Sequence, residues 1–211
     1  MYAVGHLALG YIFGKMVSKA ARTNINLPLI FALSVLPDID LVLLRTMHRG
    51  PTHSLVLLIV CSIPFLVVFR RRMLPYLASI ASHALVGDMI NGPVEILWPL
   101  TQQWYGLPIA SGSPIEVSLE WVLFLASLVL MFMSGDLRKM LKPDKSSLLL
   151  LLPCVSVGVT VVFGYYTSPS LFIPQLFYAV YFLLLIILCL VNMILPREPH
   201  AMAEKKTGMG Q

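Results

Sequence analysis

Leu36-Pro-Asp-Ile-Asp-Leu-Val-Leu-Leu-Arg-Thr-Met-His-Arg-Gly-Pro-Thr-His-Ser54 sets two acids, two histidines and two arginines between long apolar runs. An ionised carboxylate at membrane depth costs at least about 2.5 kcal/mol unless it is paired, hydrated or bound to a metal, so Asp38 and Asp40 need a reason. Asp and His together are ligands suited to Zn²⁺, Mn²⁺ or Fe²⁺. Asp-x-Asp beside a proline also suits a helix cap or an Asx-turn. His6, His83 and Asp88 weigh against that plainer reading, because they supply the other polar punctuation of the apolar part.

Outward from this stretch the chain is strongly apolar: 58% hydrophobic, 12% charged, with a mean hydropathy of +0.84. That excludes an ordinary soluble domain and predicts an all-α polytopic membrane protein. Apolar runs at 55–69, 115–133, 148–166 and 171–195, with weaker ones at 4–17, 27–44 and 74–90, predict about seven membrane segments. The opening Met-Tyr-Ala-Val-Gly-His has no basic region and no small-residue cleavage site, so it does not read as a removed signal peptide.

The net charge of +5 would suggest nucleic acid in a soluble chain; here it reads as topology, and no nucleic-acid partner is expected. Lys15, Lys19 and Arg22 follow the first segment, Arg70, Arg71 and Arg72 the third, Arg138, Lys139, Lys142 and Lys145 the fifth, and Arg197, Lys205 and Lys206 the seventh. With those loops in the cytoplasm only Arg45 and Arg49 remain outside, which satisfies the positive-inside rule. The N-terminus is then outside, the C-terminus inside, and the Asp/His stretch at the outer face. Cys61, Cys154 and Cys189 stand singly in apolar runs and read as small buried hydrophobes.

In the first segment His6, Gly10 and Gly14 are spaced by four, so the histidine shares a smooth face that should pack on another helix. A lone histidine there is more often a satisfied interhelical donor than a ligand. Pro37 should interrupt the second segment. In an unbroken helix Asp38 and Asp40 would point about 200° apart, and a break would let them converge. Gly50-Pro51 signals a turn, after which Thr52 or Ser54 could cap the third segment. The fourth segment is rich in Ala and Ser, and so reads as a central helix with His83 turned to its neighbours. His83 and Asp88 are five apart, about 140° around a regular helix, which is awkward for one ion unless Gly87 loosens the helix or two ions are held.

Residues 93–114 form an aromatic extracytoplasmic loop with Trp98, Trp104 and Tyr105, read as a headgroup-level anchor or as a lid or lipid-contacting loop over the site. Glu116 and Glu120, one turn apart, read as solvated acids or as supports to the site. Residues 115–196 read as transmembrane scaffold, and the polar 197–211 as a disordered cytoplasmic tail that takes His200 with it.

His6-x3-Gly10, Leu36-Pro37-Asp38-Ile39-Asp40, His48-Arg49-Gly50-Pro51-Thr52-His53-Ser54 and His83-x4-Asp88 together resemble the membrane-bound metal-dependent hydrolases of the YdjM-like family. The resemblance covers about 1–92, and the remainder is similar only in being apolar helices. It implies an all-helical integral membrane protein with a divalent-metal site, zinc first, and a distant similarity in motif style to zinc-dependent phospholipase C. His6, Asp38, His53, His83 and Asp88 match the positions expected to bind metal, with His48 as a further ligand candidate and Asp40 a candidate ligand or base. Arg49, with Arg45, is suited to neutralising a phosphoryl group. The function expected is hydrolysis of a lipid or lipid-linked phosphoester at the outer membrane face. A metal- or proton-coupled transporter, or a non-catalytic membrane scaffold, would use the same residue types.

Overall fold

The computed structural model of the protein describes residues 1–40, 49–142, 144–162 and 169–195. Helix α1, Ala3–Ala21, closes on Arg22 in the left-handed region, whose N–H returns to the carbonyls of Ser18 and Lys19. Helix α2, Leu27–Ser34, is started by Asn26, which accepts from Leu29 N–H at 2.9 Å, and by Pro28 in the first turn. It gives way to a 3₁₀ turn at Leu36–Asp38, the break that Pro37 predicts. A second 3₁₀ turn, Pro51–His53, leads into α3, Leu55–Phe69. Of the two expected caps for α3 it is Ser54 that accepts, from Leu57 N–H at 3.2 Å.

Helix α4, Leu74–Ser82, continues without interruption into a π-helical turn, His83–Asp88. A short hairpin follows, with bridges between Asn91 and Pro108 and between Val94 and Tyr105. Helix α5, Pro114–Met133, is capped by Ser113. The short α6, Asp136–Met140, leads to a 3₁₀ stretch, Lys145–Leu150, then α7, Leu151–Val162, and α8, Phe172–Ile194. No strand occurs among the described residues.

Helix α1 is the axis, lying against α4, α5 and α2. Its small-residue stripe works as the spacing implies: a Cβ at Gly10 would fall 2.8 Å from Ser79 Oγ and onto the side chain of Ser34, and one at Gly14 would fall 2.7 Å from Ile30 Cδ1. Close approach buries Tyr11, Phe31, Phe124, Tyr178 and Phe182 together, with ring centroids of Phe31 and Phe182 5.0 Å apart. At the far end of α1 from His6, the carboxylate of Asp136 accepts from Tyr11 Oη at 2.9 Å, from Lys139 Nζ at 2.8 Å and from Lys15 Nζ.

The expected all-helical architecture is present, but the count of about seven spans is corrected. Two helical stretches among the described residues, Pro114–Met133 and Pro169–Ile194, are long and apolar enough to cross a membrane. The reason is local: α2 has 8 residues and α4 has 9 before regular geometry stops at the polar positions, and α3 has 15. A span needs about 20 residues of regular helix. Large apolar side chains on α3, α5 and α8, including Val67, Phe132 and Ile194, are exposed. Cys61 is also exposed, on that apolar face of α3, against the expectation of burial, while Cys189 is buried. The tail 197–211 lies outside the described residues.

Candidate metal centre

The π turn settles the spacing of His83 and Asp88. Its i to i+5 hydrogen bonding brings residues five apart onto one face, where a regular helix would separate them by about 140°. A glycine is required within it: a Cβ at Gly87 would stand 2.5 Å from Cε1 and Nδ1 of His6, so only glycine lets the α1 histidine close on the turn. His6 then stacks on His83 with ring centroids 3.7 Å apart and planes 12° from parallel.

The 3₁₀ turn after α2 does the equivalent work for the acids. Asp38 Oδ1 lies 3.2 Å from His83 Nε2 and 3.5 Å from His53 Nε2. Asp88 Oδ2 lies 3.4 Å from His83 Nε2 and 3.3 Å from His53 Nε2, and the two Nε2 atoms are 3.2 Å apart. Asp38, His53 and His83 thus form one triad of candidate ligands, with Asp88 Oδ2 against the same two nitrogens, and His53, His83 and Asp88 are all buried. Donors held about 2.0–2.1 Å from a tetrahedral zinc ion stand about 3.3–3.4 Å from one another. The three edges of the Asp38–His53–His83 triad lie between 3.2 and 3.5 Å, and Asp88 Oδ2 stands 3.3–3.4 Å from the same two nitrogens.

The orientation of each imidazole is fixed from behind. His83 Nδ1 is 2.7 Å from the carbonyl of Ser34, so Nδ1 carries the proton and the Nε2 lone pair is turned to the cluster. His53 Nδ1 faces Asp40 Oδ2 at 3.4 Å and Thr52 Oγ1 at 3.0 Å, and Thr52 in turn donates to Asp40 at 2.7 Å. Asp40, expected as base or ligand, therefore stands behind His53, on the side away from the four donors. Thr52, expected as a helix cap, holds that acid. The donor set fits a divalent ion on its own chemistry. Asp88 Oδ2 is buried with no hydrogen-bond partner among the described residues, and a buried carboxylate oxygen of that kind is satisfied by a cation.

His6 is set one layer back. Its Nε2 is 3.7 Å from Asp88 Oδ1, and with His83 and Asp88 it forms a second triad of candidate ligands. Arg49 approaches the same oxygen, with Nε 3.6 Å away, and donates from Nη1 to the carbonyl of Asn91 at 2.9 Å. Its backbone lies at φ 67°, a left-handed conformation uncommon for a residue with a Cβ. His48 and Arg45 lie outside the described residues.

Glu116 and Glu120, read either as solvated acids or as supports to the site, are buried, at 2% and 0% exposure. Glu120 Oε1 accepts from Tyr2 N–H at 2.7 Å at the start of α1, and Glu116 Oε2 from Gly112 N–H at 2.5 Å. An acid is favoured at a helix N-terminus, where unbonded N–H groups point outward. The i, i+4 spacing was the only signal for their common face. Nothing in the sequence marked the Ser34 carbonyl.

The family model described as "YdjM inner membrane protein" matches residues 1–195. The chain belongs to that family. The match runs well past the motif region at 1–92 and includes α5 and α8. It also puts the chain in a cell membrane. No curated protein and no solved structure matches it.

Proposed function

We propose that this member of the YdjM family is a membrane-bound metal-dependent hydrolase of lipid or lipid-linked phosphoesters. The observation that carries the reading is the convergence of His53 Nε2, His83 Nε2, Asp38 Oδ1 and Asp88 Oδ2 with edges of 3.2–3.5 Å. These four residues would hold the ion, zinc by the donor set, with His6 beside them. A divalent ion there supplies Lewis acidity, acidifying water and polarising an ester oxygen. The Ser34 carbonyl and the Asp40–Thr52 pair keep the two imidazoles in the tautomer that presents Nε2. Arg49 brings five N–H donors in a planar fork, of which one is given to Asn91 O among the described residues. A phosphoryl oxygen fits the remainder. The excess of basic residues at the opposite end of α1 supports an extracytoplasmic site with the C-terminus inside.

The test pairs elemental analysis with kinetics. Purified protein should hold close to one zinc, and Arg49→Lys should keep that metal while phosphodiester turnover falls roughly ten- to a thousand-fold, because lysine cannot reproduce the fork. Full turnover by the lysine variant on every phosphoester would move the substrate to a neutral ester or amide.

One observation favours a second reading, ion transport. The centre is built where α2 and α4 both leave regular geometry, and interrupted helices are how many transporters expose backbone to ions. Metal uptake into proteoliposomes without hydrolysis of any ester would select it.

A further inference from the structure

We propose that the hairpin at 91–113 docks into the lipid leaflet at its own end of the molecule and admits acyl-chain-bearing substrates to the metal centre from within that leaflet. The docking stands on the hairpin's own surface; the substrate half rests on the hydrolase reading.

The hairpin is fastened to the centre and carries exposed apolar side chains. Glu95 N–H donates to Arg49 O at 3.1 Å, Leu55 N–H to Ile96 O at 2.9 Å, and Ser54 Oγ to Trp98 O. Arg49 is gripped from both ends, since its guanidinium also donates to Asn91 O. Any displacement of the hairpin therefore displaces the arginine. The hairpin also exposes Leu100 at 77%, Trp104 at 50% and Leu107 at 55%. Glu95 is the one charged residue from 91 to 113, and no Lys or Arg occurs there.

That composition decides the occupant. A surface built for anionic headgroups or for an acidic protein would carry Lys or Arg. A Trp and two Leu beside a polar but uncharged Thr101-Gln102-Gln103 suit the headgroup and acyl boundary, where aromatic rings sit with one end apolar and one wet. Chain continuity gives the depth: the hairpin runs straight into α5, a helix long enough to span, whose exposed Ile115 (68%) starts the lipid-facing surface. The three apolar tips therefore lie next to the boundary at which α5 enters the bilayer.

The experiment uses full-length protein in lipid nanodiscs of phosphatidylcholine and phosphatidylglycerol, with Trp98→Phe and Trp121→Phe leaving Trp104 as the only tryptophan. Acyl chains brominated close to the headgroup should quench at least about half of its emission, and aqueous iodide should quench little. Strong iodide quenching with no effect of the brominated lipid would overturn the docking. A second measurement reads the substrate half. Leu100→Ser with Leu107→Ser should raise KM for a long-chain phosphodiester in the nanodisc by about tenfold or more, the scale of two partly buried leucines, and leave kcat/KM for a water-soluble aryl phosphodiester unchanged. Equal losses on both substrates would overturn delivery from the leaflet. If neither ester is turned over, the hydrolase reading fails while the quenching still decides the docking.

Discussion

Helix α1 ends in two buried acidic clusters that look alike in composition and differ in what they lack. At one end Asp136 is surrounded by donors: Tyr11, Lys15 and Lys139 all give it protons. Burial alone would raise its pKa, but the hydrogen bonds from Lys139, Lys15, Ser134 and Tyr11 outweigh it and bring the carboxyl down to about 2. At the other end Asp38 and Asp88 face the Nε2 atoms of His53 and His83, the latter turned there by the Ser34 carbonyl behind it, and Asp88 Oδ2 has no hydrogen bond among the described residues. The first arrangement is electrically complete within the protein. The second leaves a buried carboxylate oxygen without a hydrogen bond among the described residues, and that incompleteness, more than the residue types, is what the proposed metal centre rests on.

Breaking the incomplete cluster should have the largest effect. Asp88→Asn replaces a ligand oxygen that the protein does not otherwise satisfy, so bound zinc should fall by more than about 100-fold in affinity, beyond the scale of losing a supporting group. Helix content by circular dichroism should be unchanged, since the scaffold loses no donor. Metal retention at full occupancy would show that the four-donor set is misassigned.

A smaller effect is expected one step back from the ion. Asp40→Asn keeps the four donors but weakens the hold on His53 Nδ1, and should cost about 10–100-fold in metal affinity, read by competition with a chelating dye. An effect as large as that of Asp88→Asn would make Asp40 a direct ligand.

The complete cluster should respond to pH and leave the metal alone. Asp136 has a folded pKa of about 2, below its usual value near 3.8, so its contribution is fully present above about pH 4 and is lost as the pH falls through its folded pKa. Because Lys139 is 65% exposed, solvent screening trims that contribution to about 1–2 kcal/mol. Asp136→Asn should lower the midpoint of thermal unfolding in detergent by a few degrees at neutral pH, flatten the acid limb of the stability profile and leave zinc content intact. Loss of metal in this variant would mean that the two ends of α1 are coupled.

The sequence carried the ingredients of the centre and part of its geometry. Pro37 announced the break that frees Asp38 from the helical direction of Asp40, and the spacing of His6, Gly10 and Gly14 announced the face that packs on α2 and α4. What it did not announce is the π turn. An i, i+5 pair is unfavourable in any regular element, and Gly87 alone cannot distinguish a π turn from a kink. Hydropathy likewise misjudged the spans, because apolar runs register composition and not the 3₁₀ and π geometry that interrupts α2 and α4. The burial of Glu116 and Glu120 was not legible for a related reason: it comes from the start of α1, more than a hundred residues away.

The contact between Tyr2 N–H and Glu120 Oε1 has a consequence for the order in which the protein matures. Every described residue of the proposed metal centre is translated by residue 88, yet the helix carrying His6 is not closed at its first turn until Glu120 has left the ribosome. At about 5–20 residues per second that interval is roughly 2–6 s. During it the four proposed ligands exist without the closed first turn of α1 beside them.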